Sequence, residues 1–159
     1  MAVINTQSST VVGVSIVFAL CANTFVTAEA HAELGGTSAA LAAGDTATVR
    51  TLPGSAAKVR STVDAGGTTI NEYTTGSGVI FAYTWQGPTM PDLGQLLGPY
   101  AQRLRTEAAA QFNATGSLHA SRVDDPDVII ESGGQMRSYV GRAWLPQALP
   151  AGITQADLR

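Results

Sequence analysis

Val79-Ile80-Phe81-Ala82-Tyr83-Thr84-Trp85-Gln86-Gly87-Pro88-Thr89-Met90-Pro91-Asp92-Leu93-Gly94-Gln95-Leu96-Leu97-Gly98-Pro99-Tyr100 is the stretch on which the fold turns. It begins with the two-residue period of a strand. Val79, Phe81, Tyr83 and Trp85 fall on one face, and Ile80, Ala82 and Thr84 on the other. Both faces are largely apolar, which marks a central strand. Gly87-Pro88 and Pro91 then turn the chain. Pro91 suits a first helical turn, where a missing N–H costs nothing, and Asp92 complements the positive end of the helix dipole. Leu93, Leu96, Leu97, Tyr100 and Leu104 recur at helical spacing, with Ala108 and Phe112 extending the stripe. An interior proline costs about 3 kcal/mol, so Gly98-Pro99 predicts a kink, or two helices with Pro99 opening the second. Asn113 to Gly116 ends the helix.

Two strands precede this stretch. Val59, Ser61 and Val63 alternate with Lys58, Arg60, Thr62 and Asp64. After the Ala65-Gly66-Gly67 connection, Thr68 to Thr74 is strand-like through its Thr, Ile and Tyr content. Gly76-Ser77 is a tight hairpin loop. Beyond the helix, Ser117 to Asp127 reads as a loop and Val128-Ile129-Ile130-Glu131 as a strand. Ser132-Gly133-Gly134-Gln135 reads as a turn, and Met136 to Trp144 as a last strand. Thr154 is positioned to cap a final short turn. The fold class is therefore α+β: an antiparallel sheet in the order β-β-β-α-β-β, with one main helix packed on one face. The long connection from Trp85 to Val128 leaves open whether the two strand groups form one sheet.

Val11 to Ala22 is an apolar run of signal-peptide length, followed by two small-x-small sites, Ala28-Glu29-Ala30 and Ala30-His31-Ala32. It is shorter than the roughly 20 apolar residues a spanning helix needs. The expected organisation is a secretory signal peptide over 1–32 with cleavage after Ala32, a flexible leader or short helix over 33–54, and a single α+β domain over 55–159. Thr37 would cap any short helix through Ala43. The expected location is the periplasm or the exterior, with no membrane span after cleavage. Cys21, the chain's single cysteine, goes with the signal. The mature chain then has no thiol and no disulfide, which fits an oxidising compartment.

The net charge is −3 and charged residues make up 13% of the 159-residue chain, with no cluster of Lys and Arg beyond Arg103 and Arg105. Nucleic acid is thereby excluded as a partner. No cofactor, metal site or catalytic set is expected. His119 is the one histidine left after cleavage, too few for a zinc site and without a Gly-x-Ser-x-Gly elbow for a nucleophile. Asp124, Asp125 and Asp127 are oxygen ligands of the kind calcium takes, but lack the later Gly and Glu of an EF-hand loop. Glu72 and Glu131 are the candidates for paired-carboxylate chemistry. The candidate binding surface is Tyr83, Trp85, Asp92, Arg137, Tyr139, Arg142 and Trp144, aromatics with guanidinium groups suited to stacking and cation–π contacts. The competing reading makes the aromatics core, with Arg142 paired to Asp92 or Glu131 in a buried ion pair that fixes the helix on the sheet.

Three groups of residues carry a resemblance: Leu34-Gly35-Gly36; Trp85-Gln86-Gly87-Pro88 with Pro91-Asp92-Leu93 and Leu96-Leu97-Gly98; and Ser132-Gly133-Gly134 with Met136-Arg137, Gly141-Arg142-Ala143, Leu145-Pro146 and Leu149-Pro150-Ala151-Gly152. Through them nearly the whole mature chain resembles an uncharacterised exported bacterial family, domain of unknown function 2844. The resemblance implies export from a Gram-negative-type cell and carries no activity or site residues with it. The functional expectation is an exported, non-enzymatic binding or accessory module with an unidentified protein or envelope partner. The alternatives are a carboxylate-based hydrolase of envelope material and a structural subunit that assembles by sheet edges.

Overall fold

The computed structural model describes residues 32–40, 46–117 and 119–159. The expected signal peptide, both small-x-small sites except Ala32, and Cys21 lie outside the described residues, as do residues 41–43 of the possible short helix. The strands are β1 (Thr48–Thr51), β2 (Lys58–Val63), β3 (Thr69–Thr74), β4 (Ile80–Gly87), β5 (Ala120–Asp124), β6 (Ile129–Gln135) and β7 (Ser138–Trp144). Helices α1 (Leu93–Leu97) and α2 (Ala101–Thr115) lie between β4 and β5, joined by a 3-10 turn over Gly98–Tyr100. All seven strands form one antiparallel sheet in the order β1-β2-β3-β4-β7-β6-β5.

The α+β class stands, but the expected order gains a strand at each end of the sheet. β1 is four residues long and exposed throughout, so no apolar alternation betrays it. It falls in the stretch expected as a leader or short helix. β5 buries only Val123, and its Arg122 and Asp124 read as loop. Short, polar strands of this kind suit sheet edges, where an apolar strand would invite aggregation. β7 returns to the middle and pairs with β4, which joins the two strand groups into one sheet.

β4 is central, as its sequence predicts, but its faces are not those of strict alternation. Tyr73 pairs with Ala82 and Thr74 with Ile80, which leaves Phe81 as the extra residue of a β-bulge. The bulge turns Ile80 to the helix side with Tyr83 and Trp85, and puts Phe81 beside Ala82 on the opposite side. On the helix side Leu97, Ala101 and Leu104 pack on Ile80, Tyr83, Trp85, Ile130 and Ala143. Asp92 caps α1, its carboxylate accepting from Gln95 N–H at 3.1 Å, and Pro91 precedes the cap. The Gly98-Pro99 break produces two helices, one of the two expected outcomes, but Pro99 lies in the 3-10 turn and the second helix opens at Ala101. The stripe fails at its far end: Phe112 is 47% exposed.

Leu34 is buried on the helix side, and its segment pairs with the start of β4: Gly35 N–H donates to Ile80 O and Ile80 N–H to Gly36 O, both at 2.9 Å. Gly98 lies so close to the Glu33 side chain that a Cβ there would collide with it. On the other face Leu52, Val59, Tyr73, Phe81, Ala82 and Trp144 lie under the C-terminal segment, which contributes Ile153 and Leu158. That segment is fixed by Tyr73, whose hydroxyl donates to Arg159 O at 2.6 Å and accepts from Arg159 N–H at 3.0 Å. Thr154 and Asp157 form a reciprocal capping box there.

The turn expected at Ser132–Gln135 lies further on, at Met136-Arg137, between the paired Gln135 and Ser138. Gly134 lies within the strand, paired with Tyr139, and must be glycine there because a Cβ would come within 2.6 Å of Ser138 O and 2.8 Å of Tyr139 Cα. Arg137 has φ 64°, a left-handed conformation that glycine adopts more readily. The left-handed region costs other residues roughly 1–2 kcal/mol, while glycine loses more chain entropy on folding. Arg137→Gly is expected to raise stability by about 0.5 kcal/mol by urea unfolding; a loss would mean that the arginine side chain contributes more than its backbone strain costs.

Candidate functional site

The C-terminal segment covers only part of the face opposite the helices. Beyond it, one cross-strand line carries a polar side chain on every strand: Thr48, Ser61, Asn71, Thr84, Arg142, Glu131 and Arg122, each paired with the next. Ser61 Oγ donates to Asn71 Oδ1 at 2.6 Å, and Asn71 Nδ2 to Thr84 Oγ1 at 3.1 Å. Arg142 Nε donates to Glu131 Oε2 at 2.6 Å and Nη1 to Gln155 O at 3.3 Å. Arg122 Nη1 reaches the other oxygen of Glu131, and Nη2 holds Asp124 at 2.9 Å. From Asn71 to Arg122 the line runs through a groove of about 980 Å³ that Leu158, Arg159 and Gln111 of α2 also border. The last row of the same face, with Val63, Thr69, Gln86 and Val140, is solvent-exposed.

A second polar cluster is buried on the helix side. Glu72 is 5% exposed. Its Oε1 accepts from Ser38 Oγ at 2.6 Å, and its Oε2 from Arg60 Nη2 at 2.8 Å and Tyr83 Oη at 2.9 Å. Arg60 Nη1 also donates to Ala39 O at 2.6 Å, and the Tyr83 hydroxyl is 2.7 Å from Ala32 O. The cluster thus clamps residues 32–39 onto the sheet. Burial, and then the adjacent Glu72 carboxylate, push the Tyr83 phenol well above its ordinary value. The folded protein therefore holds that proton more tightly than the unfolded chain does. The resulting stability is intact below about pH 10 and drains away as pH rises further, at up to about 1.4 kcal/mol per pH unit. Tyr83→Phe is expected to remove that component of the alkaline loss; identical alkaline unfolding profiles for the two proteins would contradict it.

The seven candidate surface residues do not form one patch. Tyr83 and Trp85 are buried on the helix side, and Trp144 on the opposite side. Asp92 caps α1, Arg137 sits at the β6–β7 turn, and Tyr139 is half-buried. Arg142 and Trp144 adjoin, with the guanidinium 5.2 Å from the ring centroid, and Tyr83 and Trp85 share the helix-side core. Arg142 takes Glu131, one of its two expected partners, but the pair links strands at the open face, and both side chains keep more than a quarter of their exposure. The ion pair that is buried is Arg60–Glu72, and it fixes the N-terminal segment rather than the helix.

Glu72 and Glu131 face opposite sides of the sheet, so they cannot flank one bond. Asp125 and Asp127 accept from Arg103 at 3.0 and 2.6 Å, and the Arg103 hydrogen bond holds the Asp127 carboxyl below its ordinary range. Among the described residues no group of three acids, histidines or cysteines is placed to hold a metal, and no helix is long and apolar enough to cross a membrane.

Sequence reasoning missed Ser61, Asn71, Thr84 and Arg122. The available signal was polarity inside otherwise strand-like runs: Asn71 within Thr68–Thr74, and Thr84 within the most apolar strand. What a single strand hides is the register that aligns them.

The glycines of the motif stretches also have local reasons. A Cβ on Gly141 would strike the Trp85 ring and come within 2.6 Å of Glu131 O, and one on Gly87 would strike Thr68. The Trp85 ring thus lies on the backbone of β7, with its Nε1–H buried and unpaired among the described residues. No curated protein and no solved structure matches this chain. The family model described as "Protein of unknown function (DUF2844)" matches residues 30–158, and the chain belongs to that family.

Proposed function

We propose that this chain is an exported, non-enzymatic binding module of the cell envelope, periplasmic or secreted, and that its ligand lies in the groove on the open part of the sheet. The observation that carries this reading is the groove itself: about 980 Å³ of space over a line of hydrogen-bonding and charged side chains. Export is supported by the apolar run Val11–Ala22 and the small-x-small sites after it. A non-catalytic role is supported by the state of Glu131, whose two oxygens are both engaged by guanidinium groups. The partner is an unidentified envelope component, not nucleic acid, and the processed chain has no membrane span.

A photo-crosslinking residue at Gln86, in the groove, is expected to give a discrete adduct in intact cells, while one at Glu107 on the exposed side of α2 gives none. Equal adducts from both positions, or none from Gln86, would overturn the reading. Mass spectrometry of the native protein tests export: a first residue at Glu33 or His31 supports it, and an intact Met1 refutes it.

A further inference from the structure

We propose that the Glu72–Tyr83 cluster is a binding site for the chain's own α-amino group, the one created at Glu33 when the signal is removed after Ala32; this rests on the export reading above. The Tyr83 hydroxyl carries one proton, yet it faces two acceptors, Ala32 O at 2.7 Å and Glu72 Oε2 at 2.9 Å. While Ala32 is in place, one proton serves two oxygens, and one of them goes short. Both Tyr83 and Glu72 are buried, where an unmet polar group is costly. The site is therefore short of a donor at the point where the Ala32 carbonyl stands.

Hydrolysis of the Ala32–Glu33 bond by a signal peptidase replaces that acceptor with a donor. The carbonyl leaves with the signal as a carboxylate, and the nitrogen stays on Glu33 as an ammonium group. Water supplies the second carboxylate oxygen and the two added ammonium protons. Carbonyl oxygen and amide nitrogen share one carbon and lie about 2.3 Å apart, so the Glu33 nitrogen is within about 5 Å of the Tyr83 oxygen. Rotation at Glu33 brings it into reach. The Tyr83 proton then goes to Glu72, and a Tyr83 lone pair accepts from the ammonium group. Ser38, Arg60 and Tyr83 occupy three of the roughly four lone-pair sites of the Glu72 carboxylate, which leaves it able to face a second cation. The segment behind the terminus is already fixed: Leu34 N–H donates to Leu96 O at 2.9 Å and Gly36 N–H to Glu33 O at 2.8 Å. Cleavage after Ala30 would keep Ala32 O and the shortage with it, so the site also selects between the two small-x-small sequences.

The test compares the processed protein beginning at Glu33 with the same protein Nα-acetylated there, which restores a carbonyl at the Ala32 position. Lys58 is the chain's single lysine and is exposed, so in Lys58→Arg protein the α-amino group is the only amine and is acetylated alone. By urea unfolding, the free terminus is expected to raise the folding constant about tenfold over the acetylated one, the strength of one charge-assisted hydrogen bond. In a Tyr83→Phe background that difference is expected to vanish. The acetylation itself is a second readout, expected to run several-fold more slowly on folded protein than in urea. Equal folding constants, a difference that persists in Tyr83→Phe, or equal acetylation rates would overturn the site. In the native protein, Glu33 as first residue supports both export and the site. His31 leaves export standing and overturns the site, and an intact Met1 overturns both.

Discussion

Glu72→Ala is expected to lower the unfolding free energy by about 3 kcal/mol, the low end of the cost of removing one partner from a buried ion pair. The Arg60 side chain is 18% exposed and keeps its bond to Ala39 O, so its charge is not wholly stranded. Ser38 and Tyr83 lose their acceptor in the same step. The loss should fall mainly on the N-terminal segment, because Glu72 is where Ser38 and Arg60 meet. Amide exchange is expected to speed up at Gly35 and Ile80 before it does in β6 or β7. An Arg60→Met, Glu72→Leu double variant removes both charges and is expected to recover much of the loss, since an apolar pair of similar volume often matches a buried ion pair. A cost below about 1 kcal/mol for Glu72→Ala, the level of an exposed pair, would mean that the cluster is solvated.

Gly141→Ala is expected to cost about 3 kcal/mol, the upper end for overpacking a filled site. The new methyl group meets the Trp85 ring on one side and Glu131 O on the other. Neither yields easily, because the ring is 1% exposed and the oxygen belongs to the paired strand β6. Trp85→Leu alone leaves a cavity and is expected to destabilise by a similar amount. Combined, the two changes should cost less than their sum, because the smaller side chain makes room for the methyl group. Relief stays partial, since the Glu131 O contact persists. Strict additivity would show that Trp85 does not lie on Gly141.

The parts of this structure legible in the sequence are those where burial imposes a period. β4 and the leucines of α1 and α2 declare themselves because they pack against a core. The break at Gly98-Pro99 is legible because proline lacks an N–H. β1 and β5 are illegible because edge strands bury almost nothing. Strict alternation inverts the faces of β4 from Phe81 backwards because a bulge inserts one residue, which alternation has no means of showing. Gly133-Gly134 imitates a turn, although Gly134 is needed for close approach within a strand. The aromatics Tyr83, Trp85 and Trp144 are core, as the competing reading of their residue types has it, while the polar floor of the groove carries no signal of its alignment in any one strand. A polar side chain on one strand is unremarkable alone; only the register lines up Ser61, Asn71, Thr84, Arg142 and Glu131.

Solvent access at Val140 tests the groove most directly. The chain's single cysteine is Cys21, so Val140→Cys in a Cys21→Ser background carries one thiol, on the exposed row beside the polar line. Its rate of maleimide labelling is compared between purified protein and intact cell envelopes, with Glu107→Cys on α2 as reference. A ligand in the groove predicts labelling slowed several-fold in envelopes at Val140→Cys alone. Equal rates in both settings would contradict it.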